Sequence, residues 1–234
     1  MDPVTDRQRL VRIAARALGR HGLVHAYGHC SQRLDTGSFL VCSPRPMGLV
    51  AAGENGIVVP VDGELPVGTL GEVRIHQAIY RSRPDVGGVA RIMPPITVAL
   101  SVLRITARPW HGFASYFAPC PPLWDDPLLA RDTVRAEGIA ETLGEAPAVV
   151  MRGNGAVTVG ASLQDAVVFA WYLEEAGRIE RFVLDLHGLG DPSLLTSHEI
   201  EHRAVRAGGI FERMWEYLTV GDPEGPYPYE GPGA

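Results

Sequence analysis

Helix-like and strand-like hydrophobic patterns alternate along the whole chain, each segment too short to bury its apolar face alone. That alternation constrains the fold most, because such segments become stable only by packing in layers around a shared core. Leu10, Ile13, Ala14, Ala17 and Leu18 share one helical face, and Gly19 and Gly22 are expected to stop that helix. Gln32–Leu34 and Phe39–Cys42 read as strands of a hairpin through Asp35-Thr36-Gly37-Ser38, and Ile57–Val61 as a third strand. Glu72–Arg81 reads as a helix with Val73, His76 and Tyr80 on one face. Val86–Met93 reads as a buried strand halted by Pro94-Pro95, and Ile96–Leu103 as a short helix. Residues 108–130, rich in Pro and aromatics, read as loop with one short strand, and Asp132–Leu143 as helix. Ala148–Met151 and Ala156–Val159 flank Asn154-Gly155, a tight-turn signal. Ser162-Leu163-Gln164-Asp165 starts a long helix to about Asp185, and Ser197–Leu218 reads as one last helix. The expectation is an α/β chain: a single layered domain over residues 1–220, then a Gly/Pro-rich tail, 221–234, that is mobile or lies on the surface.

Composition removes whole classes of chemistry. All 21 basic residues are Arg, so no side-chain amine exists for an internal Schiff base, a pyridoxal anchor or a Walker-type phosphate loop. The net charge is −6 and the arginines are scattered, so no basic face for nucleic acid is expected. No apolar run approaches the roughly 20 residues of a membrane span, and the first residues carry no leader pattern. With Cys30, Cys42 and Cys120 odd in number and without a CxxC pair, a reduced cytoplasmic protein is expected.

Several clusters carry candidate chemistry. Gly28-His29-Cys30-Ser31 reads as a small-residue loop, either an anion cradle of exposed amides and the Ser31 hydroxyl or a plain tight turn. Ser43-Pro44-Arg45-Pro46 is equally open. Glu72 and His76, four residues apart, suit an acid/base pair, a metal pair or a helix-surface hydrogen bond. His198 and His202 have zinc-like spacing, but the intervening Ile200-Glu201 and the lack of a third ligand favour a solvated helix face. Neither Gly53-Glu54-Asn55-Gly56 nor Gly153-Asn154-Gly155 forms a dinucleotide fingerprint, so nicotinamide and flavin chemistry is not expected.

The order of these segments resembles the class II aldolase/adducin family. The resemblance runs from the first helix through Gly28-His29-Cys30-Ser31 with Arg33, Ser43-Pro44, Gly71-Glu72 through Tyr80, and Arg83-Pro84-Asp85-Val86. It continues through Met151–Gly160, Ser162-Leu163 and the helix carrying Leu173-Glu174, about residues 5–185 in all. It implies a three-layer α/β/α domain around a mostly antiparallel sheet, assembled as a homotetramer with sites between subunits. It also implies a divalent metal on three histidines, two from a His-x-His at a strand end and one from a His-Gly turn. Here those places read Arg91-Ile92-Met93 and Asn154, a set that implies no metal cofactor.

The family's phosphate pocket has changed as well, with Gly28-His29 and Leu70-Gly71 in place of its Gly-Asn and Ser pair. Pro94-Pro95, Trp110-His111-Gly112 and Asp125-Asp126-Pro127 resemble relatives that act on hydroxylated aromatic or oxo acids. Glu72, the family's acid/base, survives, and Arg91 puts a fixed cation where the metal would lie. The expected site has Glu72 and Arg91 as catalytic groups, with His29, Ser31, Ser43, His76, Met93, His111 and Asn154 around a small carboxylate substrate. A metal-independent lyase or isomerase of specialised metabolism is the first expectation. A non-catalytic oligomeric module of the adducin-head type is the second, and a metal enzyme with relocated ligands the third.

Overall fold

The pairing of strands follows from the alternation read above. A computed structural model describes residues 3–232. One sheet is built from β1 (His29–Arg33), β2 (Ser38–Val41), β3 (Ile57–Pro60), β4 (Gly88–Ile92), β5 (Leu123–Trp124), β6 (Ala148–Met151) and β7 (Ala156–Gly160). Its order is β3-β2-β1-β4-β7-β6-β5, and every neighbouring pair is antiparallel except β5 with β6. The helices are α1 (Pro3–Arg20), α2 (Arg74–Ser82), α3 (Pro95–Val102), α4 (Thr133–Leu143), α5 (Leu163–Asp185), α6 (Ser197–Arg203) and α7 (Ile210–Thr219).

The pleat of β1 shows how the layers are arranged. Successive strand residues face opposite sides of a sheet. The Cys30 thiol turns to the Val11 carbonyl on α1, while His29 and Ser31 both turn to His76 on α2. Helices therefore cover both faces: α1 and α5 pack together on one, and α2 packs with α4 on the other. This is the expected α/β/α sandwich with a mostly antiparallel centre. Ser162 caps α5 by accepting from the Asp165 amide, as its sequence signals. Among the described residues, no helix is long and apolar enough to cross a membrane.

Three local expectations are corrected. Gly19 does not stop α1, which runs on to Arg20. Its missing Cβ instead lets the helix touch Gly48, where a Cβ would come within 2.5 Å of Gly48 Cα. Residues 29–31 are not a loop but the start of β1, drawn into the sheet between β2 and β4. The last helix is two helices, α6 and α7, broken at Gly208 and Gly209, whose φ angles of 81° and 67° leave the helical region.

Past α7 the chain returns to α1. Arg12, Arg16 and Arg20 recur every four residues and form one stripe. Asp222 pairs with Arg16 at 2.7 Å and Arg20 at 2.8 Å, and Glu224 with Arg12 at 2.6 Å. Tyr227 is buried, its carbonyl accepting from the Trp215 indole at 2.8 Å and its hydroxyl donating to Asp6 at 2.7 Å.

Candidate functional site

The register of β1 on β4 sets His29 directly opposite Arg91, and both belong to the α2 side of the sheet. Arg91 is 2% exposed, a costly place for a guanidinium unless its donors find partners. Its Nη2 donates to Asn154 Oδ1 at 2.8 Å and lies 3.3 Å from Glu72 Oε2. Nε and Nη1 have no partner among the described residues. Burial lowers the pKa of Arg91 from its ordinary value, while Glu72 opposes that shift.

Asn154 is placed by the predicted tight turn between β6 and β7, with its amide donating to Met151 O. Glu72 sits on a single 3-10 turn, Gly71–Val73, that leads into α2. That turn corrects the expected Glu72–Arg81 helix and separates Glu72 from His76. Glu72 faces Arg91, and its Oε1 accepts at 3.4 Å from the Ala130 amide, whereas His76 turns inward to β1. No hydrogen bond joins the two, so the pair is neither a hydrogen-bonded acid/base couple nor a helix-surface hydrogen bond.

His76 instead belongs to a buried chain of polar groups. Its Nε2 is 2.8 Å from His29 Nδ1, and its Nδ1 is 2.6 Å from the Ser31 hydroxyl. Ser31 Oγ is in turn 2.9 Å from the Tyr80 hydroxyl. Burial first, then the charge of Arg91, pushes His76 down to about 3. Burial, then His76 and Arg91, lowers His29 well below the ordinary histidine range. Both rings are neutral at pH 7. His29 Nε2 has no partner among the described residues. His29 also borders a tight crevice with Thr69 and Leu70 that does not admit water.

The expected site residues fall into two groups. Glu72, Arg91 and Asn154 converge, and His29, Ser31 and His76 form the adjoining chain. Met93 is half-buried, its sulfur close against Gly155 in the Asn154 turn. Ser43 is buried just beyond β2, beside the Glu54 carboxylate. His111 stands apart, half-buried, edge-on to Phe113 and between the charges of Glu175 and Arg203. Of the two readings of 28–31, an anion cradle or a tight turn, neither describes residues 29–31, because the amides of a central strand are used in the ladder.

The resemblance puts a divalent metal at Arg91, Met93 and Asn154, and these side chains do not fit one. A guanidinium has no lone pair to offer and brings its own positive charge. The Asn154 oxygen already accepts from Arg91. His198 and His202 are exposed on α6, their rings 4.1 Å apart. Among the described residues, no three His, Cys, Asp or Glu side chains gather to hold a metal.

Tyr80 and the Ala130 amide are contributors that the sequence reading did not assign to the site. Tyr80 shares a helical face with His76, which is the signal that points to it. Nothing in the sequence announces the approach of a loop amide to Glu72.

Comparison with known proteins is consistent with this geometry. The family model of the class II aldolase and adducin N-terminal domain matches residues 8–180. A 3,4-dihydroxyphthalate decarboxylase of Terrabacter sp. (strain DBF63) is 28% identical over 191 residues, covering 74% of this chain and 79% of that protein. Beta-adducin of Rattus norvegicus is 25% identical over 157 residues, 67% of this chain but 21% of that protein. Among solved structures, the L-fuculose-1-phosphate aldolase of Thermus thermophilus superposes with a TM-score of 0.69 at 26% identity, covering 79% of this chain and 100% of that one.

Proposed function

As the chain belongs to the class II aldolase and adducin family, we propose that it is a lyase that decarboxylates a hydroxylated aromatic carboxylate without a divalent metal. The observation that carries this reading is Arg91: a buried cation with two unpartnered nitrogens, converging with Glu72 and Asn154. A buried donor without an acceptor calls for a missing partner, and a substrate carboxylate supplies one. The likeness to 3,4-dihydroxyphthalate decarboxylases supports an aromatic acid over a sugar phosphate.

In this reading Arg91 fixes the carboxylate, and its fixed charge and donors stabilise the anion that develops on the substrate. Engagement of Arg91 by the substrate loosens its 3.3 Å contact with Glu72. Glu72, which reaches solvent, then takes up a proton from water and delivers it to the ring carbon as the carbon–carbon bond breaks and carbon dioxide departs. The protein acts as a homo-oligomer, a tetramer by the family resemblance. Exposed Leu128 and Leu129, next to the Ala130 amide that meets Glu72, form an apolar rim suited to a neighbouring copy.

The second reading, a non-catalytic module, draws on beta-adducin and on the Glu72–Arg91 pair serving as structural filler. The unpartnered nitrogens weigh against it, since filler of that kind leaves donors unsatisfied at a cost. The test is carbon dioxide release from 3,4-dihydroxyphthalate and from singly carboxylated dihydroxybenzoates. Release from at least one of them is expected. No release from any, together with cleavage of L-fuculose 1-phosphate, would overturn the reading.

A further inference from the structure

The orientation of every proton in the buried chain behind His29 follows from one hydroxyl. Tyr80 has a single proton, and its oxygen lies 3.0 Å from the Ser31 carbonyl, which can only accept. Tyr80 therefore donates there. The Ser31 hydroxyl, 2.9 Å from the same phenol oxygen, must then donate to it. Ser31 has no second proton for His76 Nδ1 at 2.6 Å, so His76 donates from Nδ1. The neutral His76 ring is left with a lone pair on Nε2, and His29 Nδ1 is the donor 2.8 Å away. The opposite polarity would require Tyr80 to divide one proton between two Ser31 oxygens.

His29 Nε2 is the end of that chain. In that polarity it is an acceptor without a proton, on a residue 2% exposed, and it has no partner among the described residues. Directly across the β1–β4 ladder stands Arg91, with two donors that also have none. An acceptor across the ladder from two donors matches a ligand that offers both a donor and an anionic acceptor.

We infer that His29 Nε2 accepts a hydrogen bond from a substrate hydroxyl on the carbon next to the one that carries the carboxylate bound by Arg91. His29 is then the specificity-determining residue for an ortho-hydroxy carboxylate. His76, Ser31 and Tyr80 are positioning residues that hold it in the accepting tautomer. This rests on the proposal that the Arg91 site binds an aromatic carboxylate, and it adds which pattern of substitution the site reads. A buried acceptor discriminates strongly, because an analogue without the donor leaves it unsatisfied.

The test is calorimetric binding of 2-hydroxybenzoate, 2-methoxybenzoate, 4-hydroxybenzoate and benzoate to the whole protein, with the histidine ring nitrogens observed by 15N NMR. The expected result is 2-hydroxybenzoate binding at least about tenfold tighter than the other three. Tyr80→Phe should bring 2-hydroxybenzoate and 2-methoxybenzoate toward parity, as the tautomer is no longer fixed. In the unaltered protein, His29 should show a protonated Nδ1 and an unprotonated Nε2. Equal binding of all four acids, or a protonated Nε2, would overturn the inference while leaving the carboxylate site standing. No binding of any acid would remove the site itself, and the inference with it.

Discussion

A buried arginine sits on each face of this sheet, and the two differ in how completely their nitrogens are partnered. On the α1 side, Arg16 uses all three nitrogens: on Asp222, on Glu224 and on the Val50 carbonyl. Asp222 in turn accepts from Arg16, Arg20 and the Glu224 amide. On the α2 side, Arg91 uses one nitrogen, and its cross-strand neighbour His29 is left with an unpartnered Nε2. A closed network fastens the end of the chain to the first helix. An open one has capacity for a ligand. Both arginines are buried, and what separates them is which of their nitrogens have partners.

Substitutions should separate the two clusters. The largest effect is expected from Arg16→Met, which takes two hydrogen bonds from the fully buried Asp222 carboxylate, leaving it Arg20 and the Glu224 amide, and should cost about 3 kcal/mol in denaturant unfolding. Glu72→Gln should cost less stability than Arg16→Met and lower the turnover of decarboxylation by about 10²-fold, read by steady-state kinetics. If Glu72→Gln lowers the melting temperature and leaves turnover intact, the Glu72–Arg91 pair is structural. Arg91→Met should weaken binding of an aromatic carboxylate by about tenfold or more, with turnover falling as well. It should cost less stability than Arg16→Met, because Glu72 is 16% exposed and reaches solvent while Asp222 does not.

The smallest expected effect is a two-stage pH dependence of thermal stability. Burial holds the pKa of His76 at about 3, so the unfolded chain binds the proton more readily, and stability falls as pH drops below about 6.5. For Asp222, burial acts to raise the pKa, but hydrogen bonds from Arg16 and Arg20 outweigh it and hold the carboxyl below the usual range. Its contribution is therefore complete above about pH 3.9 and lost as pH falls through the lower folded value. Melting curves from pH 7 to pH 2 should show the histidine stage first. The tail should detach only in the second stage, reported by Trp215 fluorescence. Simultaneous loss of both would show that the clusters are not independent.

The layers and most segments were legible in the sequence because they follow from periodicity: the Asn154-Gly155 turn and the Ser162 cap each stand where their local signals place them. What escaped was decided by partners distant in sequence. His29, Cys30 and Ser31 look like loop residues, yet pairing with β2 and β4 makes them a strand. Spacing put Glu72 and His76 on one helical face, yet a 3-10 turn divides them between Arg91 and His29. Gly19 looks like a helix stop and acts as a contact surface for Gly48. The convergence of Glu72, Arg91 and Asn154 was anticipated through family resemblance, since no local pattern links three positions so far apart.

If Arg91 takes the place of a metal in this site, carbon dioxide release from an ortho-hydroxylated aromatic acid is the same before and after exhaustive chelation. Elemental analysis of the same sample should find no stoichiometric zinc, iron or manganese. Stoichiometric metal on the purified protein, with activity abolished by chelation and restored by adding the metal back, would contradict it.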